Sequence, residues 1–475
     1  MAVICITILG LAFLSVNLFP SINNDGVEYI AHSSELLERG LVHLGYRQPG
    51  YPILLTAQRL LSGVLGVEAL LLTTFAQRLV LLGAAVYAVW LWRWRALPIL
   101  VLMAAPSLMA YTNLIMTEAL TISLAIVLAC SVSHFLTTLE NRPYGTLRLA
   151  PTSMRLRIIS VTSWAAGACA FWLLLIRLPF AVFGAVPLGL WLAARRGGLA
   201  SRAPGVALIV YLALSTVFGI GLVAETSREL GVTSPNARSE RAAHWAAWQN
   251  TFTLHPENRT NPALATYFND GNPYITIWDI EDANPRYVDQ ARALESATRD
   301  MLGTAGIDIP RARLFSLIGS LGGGRLDELR PRLEQILATD AATVDDAIHV
   351  NDVSRLEGRA MFVDRYNDGH KPQAVITSPL LPGLPLPYLS ALISVLLPLS
   401  LIGVVYLAAR KRRWIEAMMF VLPVLVYSAY LSWFLADNVR FLATTSLYAV
   451  SGLCALWAMA PRRVYPTSSR RNLPV

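Results

Sequence analysis

Residues 204–224 read PGVALIVYLALSTVFGIGLVA, without one charged side chain. A helix of about 20 apolar residues crosses a hydrocarbon core of about 30 Å, so this stretch is long enough to span a bilayer. Working outward in both directions, similar runs recur. Ten spans fit, near 2–20, 69–91, 97–111, 114–137, 158–176, 178–194, 204–224, 384–409, 414–435 and 441–460. The third is short for a full crossing, and the fifth and sixth are joined by little more than Arg177-Leu178-Pro179, which predicts a tight hairpin. The composition agrees: of 475 residues 55% are hydrophobic and only 15% charged, with mean hydropathy +0.48. A soluble domain is nearer a quarter charged. The fold class expected is an all-α polytopic membrane protein of about ten transmembrane helices.

Charge placement orients the chain. Arg93 and Arg95, Arg142 to Arg157, Arg195 to Arg202, the run Arg410-Lys411-Arg412-Arg413, and Arg462 and Arg463 all fall on one side under a ten-span count. Basic residues in short loops mark the cytoplasmic side. Both termini are then cytoplasmic, in a multi-pass plasma (inner) membrane protein. The net charge of +8 is spent on these loops, which argues against a nucleic-acid partner. The first 20 residues lack a charged leader and an evident cleavage site, and read as a retained first helix. Cys5, Cys130, Cys169 and Cys454 all lie in apolar runs, so neither a disulfide framework nor a thiolate zinc site is expected.

Three parts follow: a transmembrane module over 1–224, an extracytoplasmic domain over 225–382, and spans eight to ten with a cytoplasmic tail over 383–475. The first outer loop, 21–67, holds two amphipathic stretches. Residues 29–40 read as a short helix. Residues 52–65 read as a second lying along the membrane surface, with Leu54, Leu55, Leu60 and Leu61 as its apolar face. The 225–382 domain reads as small and mainly helical. Its aromatic-rich start, from His244 to Trp278, suits either a sugar-stacking surface or an ordinary core.

The chemistry-bearing residues gather on the outer side. The first loop carries Asn24-Asp25-Gly26-Val27-Glu28-Tyr29, then Arg47-Gln48-Pro49-Gly50-Tyr51-Pro52. A carboxylate at a membrane boundary is partly desolvated, which raises its pKa towards the range of a general base. Asp25 has that position, and Tyr29 follows one helical turn later. A competing reading makes Asp25 the N-cap of a helix beginning near Val27, with Glu28 completing a capping box. Glu118 opens span four, where Thr117 as N-cap and Glu118 as dipole partner is the alternative. Arg47, Arg177 and Arg440 stand on the outer side against the positive-inside trend. Each could snorkel to headgroups, yet arginine is also the residue suited to bidentate phosphate recognition.

The order Asp25-x-x-x-Tyr29, Arg47-x-Pro49-x-Tyr51-Pro52, Thr117-Glu118, Leu175-x-Arg177-x-Pro179 and Arg440-Phe441 resembles the GT-C superfamily of polytopic glycosyltransferases, the protein O-mannosyltransferase and lipid A aminoarabinose transferase type. The resemblance covers mainly 20–180, with an echo at 436–445. It implies an inverting transfer of a sugar from a polyprenyl-phosphate donor to a hydroxyl acceptor, which could be a glycan, a lipid or a protein. Asp25 would be the base and Glu118 the second functional acid. Arg47, Arg440 and Arg177 would hold the donor phosphate, with Glu28, Tyr29 and Tyr51 in support. It implies no separate general acid, since a phosphate leaves readily once its charge is held, and, with monophosphate donors and no third carboxylate clustered in the sequence, no metal and no cofactor. Two other readings remain: a transporter or flippase for a lipid-linked or polar solute, and a non-catalytic assembly protein. Charges at helix ends and the absence of a repeat in the sequence weigh against the transporter.

Overall fold

The computed structural model describes residues 10, 20, 24–39, 48–103, 112–113, 115–140, 152–196, 201–230, 387–434 and 439–459. Among these residues the regular structure is entirely helical. Nearly all of the expected first span and of the expected 225–382 domain lies outside the described residues.

In chain order the helices are α1 (Asn24–Arg39), α2 (Gly50–Leu65), α3 (Ala69–Trp92), α4 (Leu97–Met103), α5 (Glu118–Leu139), α6 (Thr152–Ile176), α7 (Ala185–Arg196), α8 (Ala203–Leu230), α9 (Pro387–Lys411), α10 (Trp414–Phe434) and α11 (Val439–Ala458). Five stretches among the described residues are long and apolar enough to cross a membrane: Ala69–Leu102, Glu118–Leu139, Thr152–Ile176, Leu178–Arg196 and Ala203–Ala224. The protein is therefore polytopic and helical.

The helix ends follow from local chemistry. Gly66 closes α2 at φ 67°, a left-handed conformation that suits glycine, and donates its N–H to Ser62. Glu68 caps α3 by accepting from the N–H groups of Leu70 and Leu71. Arg93–Ala96 form a 3₁₀ turn after α3. The chain then doubles back: Trp92 donates to Ser133 near the end of α5, whereas Thr112 lies beside Gln77 near the start of α3. Arg177 alone separates α6 from the next helical segment, as the hairpin reading expects, but that segment opens as a 3₁₀ turn over Leu178–Gly184. Extended backbone at Arg177 and Pro179 behind it favour the tighter turn.

Helix α5 is the axis of the bundle. It is buried along almost its whole length and packs against α3, α6 and α11. A large apolar core surrounds it, from Leu81 and Trp92 of α3 to Phe183, Phe420 and Tyr448. A second, smaller core joins Tyr29, Ile30, Tyr51, Leu55, Leu70, Ile115, Leu120 and Ile176 at the end where α5 begins.

The two outer-loop helices differ in part from expectation. α1 begins at Asn24, so the Asp25 backbone lies inside its first turn, earlier than the expected start near Val27. In α2, Leu55 is buried while Leu60 is 61% and Leu61 43% exposed. Five residues at about 100° each place Leu55 and Leu60 well over 100° apart around the axis, so they do not form one face. Leu55, with Leu54 packed beside it, joins the small core, while Leu60, Leu61, Val64 and Leu65, in the second half of α2, are exposed. The helix α8 runs on to Leu230, past the expected end of the seventh span.

Candidate functional site

The site is built where α5 begins. Glu118 opens that helix and is 2% exposed. Arg177, in the α6 hairpin, reaches it with Nη2 at 2.8 Å from Glu118 Oε1. The same Nη2 donates to Thr117 Oγ1 at 2.9 Å. Thr117 holds the expected N-cap position of α5, but its hydroxyl serves Arg177 and makes no side-chain cap bond. Burial works against the Arg177 cation, but the Glu118 carboxylate, with Tyr427 and Tyr29 close by, more than offsets it. The guanidinium is held above the ordinary arginine value. Arg177 therefore stays a cation facing Glu118 Oε1.

Tyr51 stands against this pair. Gly50 makes that possible: a Cβ there would lie 2.8 Å from the carbonyl carbon of Leu175 and 2.9 Å from the Ile176 nitrogen. Only a glycine lets the start of α2 approach the last turn of α6 so closely. Tyr51 is fully buried, meets the Tyr29 ring edge-on at 5.0 Å, and donates its hydroxyl to Gln77 Oε1 at 3.1 Å. Burial pushes its pKa well above 10, with Tyr29 and Glu118 adding to the effect. It acts as a neutral donor.

The network continues into α3. Gln77 Nε2 donates to the Thr112 carbonyl at 3.0 Å. Arg78 Nε donates to Thr112 Oγ1 at 3.1 Å, and its Nη2 to Asn113 Oδ1. Gln77 and Arg78 are residues that sequence reasoning missed, because they sit in the apolar run 69–91 and a membrane helix was the obvious reading there. A signal was present. Thr73, Thr74, Gln77 and Arg78 recur at helical spacing on one face, and an ionisable residue within a span is itself informative.

That inward face changes chemistry along its length. Thr73, Thr74, Gln77 and Arg78 are buried near its start, then Leu81, Ala84, Ala85, Ala88, Leu91 and Trp92. Helix α11 matches it: Thr444, Thr445 and Ser446 are buried near its start, and Thr444 Oγ1 lies 2.8 Å from Thr121 Oγ1, one turn inside Glu118. The starts of α3, α5 and α11 thus bring buried polar side chains together at one end of the bundle.

Of the expected site residues, Tyr29, Tyr51, Glu118 and Arg177 come together here. Asp25 and Glu28 lie in the first turns of α1, with Asp25 one turn before Tyr29. Arg440 lies in the first turn of α11, one turn before Thr444. For these three the backbone position is described and the side chain lies outside the described residues. Arg47 lies wholly outside them. Among the described residues no group of three or more His, Cys, Asp or Glu side chains is arranged to hold a metal.

Comparison with protein-family models, with curated proteins and with solved structures finds no match.

Proposed function

We propose that this protein is an inverting glycosyltransferase of GT-C type, taking a sugar from a polyprenyl-phosphate donor at the outer face of the membrane. The observation that carries the reading is the Arg177–Glu118 pair, with its carboxylate buried, set among buried polar side chains at one end of a large apolar core, beside Tyr29 and Tyr51. A lipid-borne ligand with an anionic head needs both parts: an apolar surround for its tail and oriented cations for its head. The starts of α1 and α11 bring the backbones of Asp25 and Arg440 to the same end.

In this reading Asp25 accepts the proton of the acceptor hydroxyl. The hydroxyl oxygen attacks the anomeric carbon from the face opposite the phosphate. The bond from that carbon to the phosphate oxygen breaks, its electron pair leaves with the phosphate, and the configuration inverts. Arg47, Arg440 and Arg177 hold the leaving charge, and an incoming phosphate competes with Glu118 for Arg177. Glu118 then serves sugar or acceptor hydroxyls, with Glu28 supporting. The chain crosses the plasma membrane ten times with both termini cytoplasmic and the 225–382 domain outside.

The purified Asp25→Asn variant tests the base. A loss of about 10²-fold or more in transfer from a polyprenyl-phosphate sugar is expected, the usual scale of a positioned base. Transfer at the wild-type rate removes Asp25 from that role. A wild-type protein that neither binds nor consumes such a donor ends the enzyme reading. One observation favours a second reading, a transporter for a lipid-linked or polar solute: Gln77 and Arg78 are buried within a membrane-length helix, roughly 13 Å from its start. Solute counterflow in proteoliposomes would select that reading.

A further inference from the structure

Of the residues leading into α5, Thr112 and Asn113 form a turn and 115–117 are bends, so among these described residues side-chain contacts help to fix the approach to Glu118. Ile115 is anchored in the small apolar core. The polar grip comes from α3. Gln77 takes the backbone of Thr112, while the Arg78 guanidinium takes the Thr112 hydroxyl and the Asn113 amide oxygen together. A planar guanidinium with donors in fixed directions sets the orientation of such partners more sharply than an ammonium can. All four residues are buried. A cation placed in a membrane-spanning helix is costly, and Arg78 is placed where it binds two consecutive side chains of one turn.

Tyr51 links this grip to the ion pair. Its hydroxyl reaches Gln77 and lies close to Glu118 and the Met116 backbone. The order of contact is Arg78 and Gln77 to Thr112 and Asn113, then along the chain to Thr117 and Glu118, then to Arg177.

We propose that Arg78 is a positioning residue: by holding Thr112 and Asn113 it sets the approach to α5, and with it the geometry of the Glu118–Arg177 pair. The proposal rests on the reading of Glu118 as a site carboxylate, and it concerns how that carboxylate is aimed.

The test is a double-mutant cycle of Glu118→Gln and Arg177→Gln, read as unfolding midpoints in detergent and repeated in an Arg78→Gln background. General destabilisation by Arg78→Gln cancels within each cycle, so only coupling between Glu118 and Arg177 is read. In the wild-type background the double variant is expected to lose clearly less than the sum of the singles. In the Arg78→Gln background that excess is expected to shrink to less than half. An unchanged excess overturns the proposal and leaves Arg78 as a contributor to general stability. Should Arg78→Gln not fold, Asn113→Ala, which keeps the cation and removes one of its acceptors, is judged by the same criterion. Donor turnover is the second arm: Arg78→Lys is expected to lower kcat tenfold or more with donor KM within threefold. An Arg78→Lys enzyme with wild-type kcat overturns the proposal. A wild-type protein that turns over no polyprenyl-phosphate donor ends the glycosyltransferase reading, while the stability cycle still decides the role of Arg78.

Discussion

Tyr51 shows at the scale of one residue how the site was assembled. Its place in Arg47-Gln48-Pro49-Gly50-Tyr51-Pro52 marked it as worth attention, but the motif could not say what its hydroxyl meets. The partner, Gln77, is 26 residues away and hidden in an apolar run. Tyr51→Phe leaves the buried Gln77 oxygen without that donor, a loss expected to cost about 1 to 3 kcal/mol, checked by chemical unfolding in detergent near pH 7. The pH dependence has a definite sign. Burial raises the Tyr51 pKa well above 10 in the folded protein. Below pH 10 both states hold the proton and Tyr51 gives no slope. Above it the unfolded chain ionises first, the folded state binds more protons, and stability falls as pH rises. One such proton is worth at most about 1.4 kcal/mol per pH unit. Tyr51→Phe is expected to lessen the alkaline slope by up to that amount. An identical slope in both proteins would show that Tyr51 does not hold its proton.

At the scale of elements, α2 is held by a close approach. Gly50 sits against the Leu175–Ile176 backbone, and backbone cannot move aside as a flexible side chain can. Gly50→Ala is expected to cost about 1 to 3 kcal/mol, as overpacking does. It is also expected to shift Tyr51 away from Gln77, so its cost and that of Tyr51→Phe should be less than additive in the double variant, measured as unfolding free energies. The helices themselves were largely legible, because a 3.6-residue period and long apolar runs need no partner to be recognised. Their contacts were not. The four leucines of 52–65 could not share one face, since the helical period alone separates Leu55 from Leu60 by well over 100°; that the Tyr29, Tyr51 and Ile176 core takes Leu55 is the tertiary part. Likewise Thr117 reads as a helix cap until Arg177, 60 residues on, claims its hydroxyl. Pairings of distant residues such as Glu118 with Arg177 were visible only as two charges assigned to one side.

At the scale of the molecule, the two ends of α5 carry different chemistry. Glu118 meets Arg177 at one end. At the other, about 33 Å away for a helix of this length, Glu140 takes both terminal nitrogens of Arg413 at 2.7 and 2.6 Å, and Glu416 adds a third contact at 3.4 Å. Lys411 donates to the carbonyls of Leu456, Trp457 and Met459, capping α11 beside that cluster. Arg155 also bonds the Thr138 and Leu139 carbonyls there. Arg155, Lys411 and Arg413, three of the basic residues used to orient the chain, thus gather with Glu140 at the end of α5 opposite Glu118. Positive charge in short loops belongs on the cytoplasmic side, so the Glu140 end should face inward and the α2–α3 junction outward. Single cysteines in a background lacking Cys5, Cys130, Cys169 and Cys454 test this directly. Arg410→Cys, on the exposed end of α9, is expected to react with a membrane-impermeant maleimide only after the cytoplasmic face is opened. Val67→Cys, 40% exposed between α2 and α3, is expected to react in intact cells. The reverse pattern would invert the protein and place the Glu118–Arg177 site on the cytoplasmic side. Labelling of both positions from one side would require an odd number of crossings between residues 67 and 410 to become even, which removes the ten-span arrangement.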